Sequence, residues 1–313
     1  MRARQRRWRH ETEVLSFIIK VGLYCSLVVT GYLIGAVFQN DPNVSIYNKI
    51  DVSANGDWIQ INKGDEEKPS NSPSVLCWIA TAPQFLQNRA SHVKSTWGKR
   101  CDKTLYFSSV TNTTFGAVGL NVTEGREHLT AKSQEAFRHI YNNYFNDYDW
   151  FLKADDNTYV IVENLKYFLS GKDKNEPIYF GHHFQSIIEG GYTSGGAGYV
   201  LSKEALRRLA EKGDDKILCR QDGGAEDVEI GTCLHNLGVT VGYSHDESGR
   251  SLFHCFDPIS HLVGRYPEWY KKFDAAGAQK GKAYMGNDAI SFHYVKPMDM
   301  YLFDYFLYHV KVH

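Results

Sequence analysis

Short apolar runs alternate with helix-length amphipathic segments through the middle of this chain, and that alternation leaves few folds open. Val75-Leu76-Cys77-Trp78-Ile79-Ala80-Thr81 reads as a fully buried strand, and so does Trp150-Phe151-Leu152-Lys153-Ala154. Leu105-Tyr106-Phe107 and Pro177-Ile178-Tyr179-Phe180-Gly181 read as two more strands. Between and after them, Asn88–Trp97, Ala131–Phe145, Val160–Leu169 and Ser202–Lys212 read as helices. Ala136, Phe137, Ile140 and Tyr144 fall at helical spacing, and Ser202 is a suitable N-cap. Strands alternating with helices imply an α/β sandwich around a mostly parallel sheet. Ligands in such folds sit at the carboxyl ends of the strands. Here one strand runs straight into Asp155-Asp156-Asn157.

The N-terminus sets the compartment. Five Arg (Arg2, Arg4, Arg6, Arg7 and Arg9) precede the 18 uncharged residues Val21 to Phe38. As a helix that stretch spans roughly 27 Å, about the thickness of a bilayer core. Cationic flanks stay cytoplasmic. The reading is a tail at 1–13, a signal anchor at 14–38 and a stem at 39–73 rich in Asp, Asn, Lys, Ser and Pro. A folded lumenal domain follows at 74–313. A cleaved signal peptide is the competing reading, but the apolar core is long for one and no small-x-small site follows Phe38. Sequons at Asn43, Asn112 and Asn121 agree with a lumenal domain.

Composition narrows the classes further. The 313 residues carry 35 Lys+Arg and 36 Asp+Glu, a net charge of −1, with 42% hydrophobic and 23% charged residues. That balance excludes a disordered chain, a collagen-like repeat and a generally basic nucleic-acid binder. Twenty Tyr and 17 Phe indicate aromatic-rich packing, with room for a sugar- or base-stacking surface.

Two acidic motifs carry candidate chemistry. Asp155 and Asp156, at the end of an apolar strand, are costly unless water, a cation or hydrogen bonds meet them. A hard divalent cation holding a diphosphate satisfies both, and so does a plain turn. Lys153 beside them is a candidate phosphate or carboxylate partner. Ser194-Gly195-Gly196-Ala197-Gly198-Tyr199 is either a tight turn or a place where backbone meets a ligand closely. Glu226 and Asp227 stand where a helix starts, ahead of Ile230, Leu234 and Leu237. They act there as capping anions, or one is a general base kept ionised by the helix.

These segments closely resemble the core 1 beta-1,3-galactosyltransferase family. The resemblance rests on Trp150 to Asp156, Ser194 to Tyr199, Ala225 to Gly231, Ala289-Ile290-Ser291-Phe292-His293-Tyr294-Val295, His92 to Cys101 and Met300 to His309. It covers roughly Val75 to His309. It implies a GT-A glycosyltransferase fold on a single-pass type II Golgi anchor, with UDP-galactose as donor and Mn²⁺ as metal. The implied acceptor is GalNAc α-linked to Ser or Thr of a glycoprotein, with inversion at the sugar carbon. Asp227 then resembles the catalytic base, and Asp155, Asn157 and His293 the metal ligands, although His293 read alone is a packed core histidine. Thr81, Arg89, Lys153, Asp155, Asp156 and Gly196 become donor contacts. Glu226 and Trp269 become acceptor contacts, with core packing as the other reading of Trp269.

The family usually carries a third Asp where this chain has Asn157, which offers a carbonyl oxygen without charge. A catalytically impaired paralogue, or a chaperone of the transferase, is therefore the alternative function. A transferase of different sugar or acceptor, fringe-like, is a third. Retention of Asp155, Asp156, Glu226, Asp227 and His293 favours an active enzyme. The resemblance also implies disulfides Cys77–Cys101 and Cys219–Cys233 and a homodimer. Cys25 falls in the apolar stretch, and Cys255 is left either free and buried or linking two chains.

Overall fold

A computed structural model of the chain describes residues 72–185 and 187–311. The expected tail at 1–13, signal anchor at 14–38, nearly all of the expected stem, and Asn43 lie outside the described residues. Among the described residues no helix is long and apolar enough to cross a membrane.

Twelve strands are described: β1 (Val75–Ala80), β2 (Lys103–Ser108), β3 (Ala117–Gly119), β4 (Trp150–Asp155), β5 (Tyr159–Val160), β6 (Ile178–Gly181), β7 (His183–Phe184), β8 (Tyr192–Thr193), β9 (Tyr199–Ser202), β10 (Thr240–Val241), β11 (Phe253–His254) and β12 (Ser291–Phe292). The α-helices are α1 (Ser91–Ser95), α2 (Leu129–Tyr144), α3 (Val162–Ser170), α4 (Lys203–Lys212), α5 (Glu226–Asn236), α6 (Pro258–Val263), α7 (Glu268–Phe273) and α8 (Pro297–Tyr308).

Seven strands form the central sheet in the order β10-β6-β9-β4-β1-β2-β3. The pairs β1–β4, β1–β2, β2–β3 and β6–β10 are parallel, while β9 runs antiparallel to both β4 and β6. The sheet is therefore mixed and mostly parallel. Two smaller sheets, β11-β12-β5 and β7-β8, flank it.

The apolar runs are continuous because both faces of the sheet are covered. Val75, Cys77, Ile79, Trp150, Leu152 and Ala154 pack into one core, and Leu76, Trp78 and Phe151 into the other. In the second core Trp78 meets Phe137 of α2 edge-on, with ring centroids 5.2 Å apart. Ser202 caps α4, its hydroxyl accepting from the Ala205 amide at 3.0 Å.

Three elements differ from expectation. The helix expected over Asn88–Trp97 is broken into a π-helical turn at Leu86–Ala90, α1, and a 3₁₀ turn at Trp97–Arg100. The helix expected from Val160 begins at Val162, because Tyr159 and Val160 pair with Phe292 and Ser291. β9 follows directly on the glycine turn and carries no separate signal.

Both implied disulfides are formed, with Cα–Cα distances of 6.1 Å for Cys77–Cys101 and 4.5 Å for Cys219–Cys233. Cys255 is unpaired and only 3% exposed, packed in the first core. A bridge from Cys255 to a second chain is thereby corrected, since its sulfur is enclosed by its own domain. Cys77–Cys101 closes a loop with a sequence separation of 24. Replacing both cysteines by Ala is expected to lower unfolding stability by about 3 kcal/mol in denaturant titrations.

Candidate functional site

Four separate segments converge at the carboxyl edge of β1 and β4, and strand register explains how. Ala80 pairs with Asp155, so Thr81 and Asp156 emerge side by side. The Thr81 hydroxyl donates to Asp156 Oδ2 at 2.8 Å. Arg89 Nη1 lies 3.7 Å from Asp156 Oδ1, with its guanidinium stacked 4.1 Å over the Phe85 ring. Burial pushes the Asp156 carboxyl up to about 6; Asp155 adds to the shift, and Thr81 and Arg89 oppose it.

β9 is antiparallel to β4, so its start lies at the same edge, with Tyr199 opposite Lys153. The turn Ser194–Gly198 is thereby laid against the acidic strand end. Gly198 takes φ +79°, a conformation that favours glycine. Lys153 is buried under this turn. Its ammonium donates to Asp155 Oδ1 at 2.6 Å and to the Gly195 carbonyl at 3.0 Å, and lies 3.7 Å from Glu226 Oε2. Burial works against that charge, and Asp155 and Glu226 outweigh it and hold the ammonium above its ordinary range.

Glu226 and Asp227 open α5 and face different ways. Glu226 is turned inward. Its Oε1 accepts from Ser133 at 2.6 Å and from Tyr199 at 2.9 Å. Asp227 is half-buried. Its Oδ2 accepts from the Gly195 amide at 3.2 Å and its Oδ1 from the Val228 amide at 3.0 Å. The peptide of Gly195 therefore joins two acids: its N–H holds Asp227 and its carbonyl holds the ammonium that holds Asp155. A Cβ on Gly195 would come within 2.6 Å of Glu226 Oε2, so a larger residue there would displace the Glu226 carboxylate.

His293 arrives from the far end of the chain. Pairing of β12 with β5 puts it beyond Phe292, and the Val295 amide reaches the Asn157 carbonyl at 2.9 Å. Its Nε2 is 3.9 Å from Asp155 Oδ2. Burial lowers its pKa to about 4, with Asp155 opposing, so the imidazole is neutral near pH 7 and its lone pair is free. A Cβ on Gly196 would strike the His293 ring at 2.1 Å, so that glycine makes room for the imidazole.

Among the described residues no group of three or more His, Cys, Asp or Glu is arranged to hold a metal. Asp155 and His293 bring one carboxylate oxygen and one ring nitrogen within 3.9 Å of each other. Donors bound to one ion at about 2.1 Å sit roughly 3–4 Å apart, which fits this pair. Two donors suit an ion that keeps water and phosphate ligands. The carboxylate suits either manganese or magnesium, and the imidazole suits manganese better than magnesium, which takes oxygen ligands.

Two of the expected contacts are also engaged within the protein. The Lys153 ammonium donates to Asp155 and to the Gly195 carbonyl and has Glu226 at 3.7 Å. Glu226 is buried and accepts from Ser133 and Tyr199. Trp269 is 47% exposed, its ring about 6 Å from those of Phe184 and Phe256, and so presents a surface. Ser133, Tyr199 and Thr158, whose hydroxyl holds the Gly196 carbonyl at 2.8 Å, are supports not foreseen from sequence. Polar residues on the buried face of α2 were the available signal.

Lys153→Met leaves the buried Glu226 and the half-buried Asp155 without their cation. Unfolding free energy should drop by about 3–5 kcal/mol in urea titrations. Asp156 carries a folded pKa above its unfolded one. Its favourable term is present below pH 4 and is lost as pH rises through about 6. In metal-free protein, Asp156→Asn should stabilise by about 2 kcal/mol at pH 7 and by little at pH 4, read from unfolding curves at both.

The Fringe-like family model matches residues 70–256. Over 251 residues the chain is 43% identical to glycoprotein-N-acetylgalactosamine 3-beta-galactosyltransferase 1 of Xenopus laevis, covering 79% of this chain and 69% of that protein. It is 26% and 27% identical to the beta-1,3-glucosyltransferases of Mus musculus and Homo sapiens, over 62% of this chain and 38% of theirs.

Proposed function

This chain belongs to the Fringe-like glycosyltransferases and, within them, to the core 1 beta-1,3-galactosyltransferases, and from that premise we propose that it transfers galactose from UDP-galactose to the 3-hydroxyl of GalNAc α-linked to Ser or Thr of glycoproteins. The fold is then of the GT-A type. The observation that carries the reading is the convergence of Asp155 and Asp227 from separate elements, joined through Lys153 and the Gly195 peptide.

In this reading Asp227 is the base. Its carboxylate accepts two amide hydrogens and keeps lone pairs free, and the start of α5 favours its charge. The acceptor oxygen attacks the anomeric carbon, its proton passes to Asp227, and the bond to the diphosphate breaks with inversion. Asp155 and His293 would hold Mn²⁺, with the Asn157 side chain offering a further, uncharged donor. Bound there, the metal supplies charge neutralisation for the departing diphosphate. Thr81, Arg89, Asp156 and Gly196 line the donor side, and Trp269 stacks on the acceptor sugar.

The same reading includes a type II Golgi membrane protein with glycans on Asn112 and Asn121, a homodimer and a dedicated chaperone. In the structure Asn121 is exposed, while Asn112 is half-buried in a turn where its Oδ1 accepts from the Phe115 amide at 2.9 Å.

The deciding experiment is galactose transfer from UDP-galactose to a GalNAc-peptide with Mn²⁺, by the purified full chain. Transfer is expected, and chelation by EDTA should abolish it. Asp227→Asn should lower kcat by about 10³-fold with UDP affinity unchanged. No transfer by a folded, UDP-binding wild type would contradict the reading, and near-normal turnover of Asp227→Asn would remove the base assignment.

A further inference from the structure

Between β11 and β12 the chain makes an excursion, residues 255–290, that contains α6 and α7 and a 3₁₀ turn at Gly281–Ala283. It begins as the Fringe-like match ends at residue 256. Inside it lies a buried polar cluster with no part in the chemistry described above. Asp274 and His182 form an ion pair at 3.1 Å, with side chains 2% and 1% exposed. The approach is oblique to the imidazole N–H, so the attraction is mainly one of charge.

Each partner gathers different parts of the fold. Asp274 Oδ2 accepts from the Ala278 amide at 2.6 Å, and the Tyr284 hydroxyl lies 3.4 Å from its Oδ1. Tyr284 in turn meets the Tyr270 hydroxyl at 3.1 Å. One carboxylate thus organises the end of α7, the following turn and the 3₁₀ turn. His182, just beyond β6, lies on the other side. Its Nδ1 is 2.9 Å from the Phe253 carbonyl, on the strand that pairs with β12 and leads to His293. A carbonyl only accepts, so Nδ1 carries hydrogen, and the carboxylate beside Nε2 favours the imidazolium form. Burial disfavours that charge, and the Asp274 carboxylate opposes burial, so the pKa stands above its ordinary value.

The pair also aims an exposed ring. His182 stacks on Tyr270, centroids 5.7 Å apart, and Tyr270 is fully buried while its neighbour Trp269 is 47% exposed. From Trp269 a run of rings passes through Phe256 and Tyr294 to His293, with spacings of 5.9, 6.1 and 3.8 Å. Backbone bonds reinforce the seam, from the Gln185 amide to Phe273 at 2.8 Å and from the Ala275 amide to His183 at 3.2 Å.

We propose that His182 and Asp274 are positioning residues for the acceptor, a buried ion pair that tethers the excursion to β11 and holds Trp269 at the mouth of the site. The inference rests on the transferase reading and on Trp269 as the acceptor wall. Loss of the tether loosens the wall while the donor side, built on β1 and β4, stays in place. The pair therefore governs acceptor affinity and leaves donor affinity alone.

The test compares wild type, Asp274→Asn, His182→Gln and Trp269→Ala in the full chain; His182→Gln serves if Asp274→Asn does not fold. Binding of a fluorescent GalNAc-peptide, KM for both substrates and acceptor-independent hydrolysis of UDP-galactose are measured. The tether variants should weaken peptide binding and raise acceptor KM about tenfold, as Trp269→Ala does, with donor KM and hydrolysis within about twofold. Trypsin should also cut faster at Lys271, Lys272, Lys280 and Lys282. Equal changes in both KM values, or unchanged peptide binding in the tether variants, would overturn the proposal. If Trp269→Ala binds the peptide normally in an active enzyme, the acceptor wall and the proposal fall together while the transferase reading stands. If wild type transfers nothing, the transferase reading fails, and peptide binding alone decides the tether.

Discussion

One buried ammonium holds the centre of this molecule together. Lys153 sits in an apolar strand with both faces covered, where an unpaired charge is very costly. Its charge is supported by Asp155 at the strand end, Glu226 at the start of α5 and the carbonyl of Gly195. These belong to elements far apart in sequence. Because each must meet the same small cation, the end of β4, the glycine turn and the tip of α5 are held in one arrangement. The half-buried carboxylates Asp155 and Asp227 are what that arrangement leaves facing the edge of the sheet.

The electrostatics of the edge follow from the same geometry. Asp155 and Asp156 are neighbours with opposite surroundings. Asp156 turns into the protein, meets Thr81 and Arg89, and has its pKa raised chiefly by burial. Asp155 turns outward toward His293, whose burial keeps its imidazole neutral. One carboxylate thus suits the donor's edge and the other suits a cation. At α5 the division repeats, with Glu226 serving the interior and Asp227 the site. Adjacent residues of like charge are separated in role by which face of an element they occupy.

Much of this was legible in the sequence. The apolar runs at Val75 and Trp150 form the two central strands, and the acidic residues after Ala154 stand at the carboxyl end of β4, as the pattern implies. What was not legible depends on partners distant in the chain. Tyr159 and Val160 look like the start of a helix until Ser291 and Phe292 pair with them. Lys153 reads in sequence as a phosphate or carboxylate partner because it precedes two aspartates, and in the structure it holds the Asp155 carboxylate. Its place in a doubly covered strand was the better signal, since a buried lysine is nearly always paired. Glu226 and Asp227 read alike at a helix start, and only the packing of α5 against α2 and β9 separates them. The pairing of His182 with Asp274 left no local trace at all.

In the proposed reading Asp155 and His293 hold a cation on the donor diphosphate, and Asp227 stands across from it. A crystal of the chain with UDP and Mn²⁺, measured at the manganese absorption edge, tests this directly. The account predicts an anomalous peak about 2.1–2.3 Å from Asp155 and His293 Nε2, with the diphosphate against it and Asp227 free of metal. A peak on Glu226 or Asp227, or UDP bound at the edge with no metal peak beside Asp155, would contradict it.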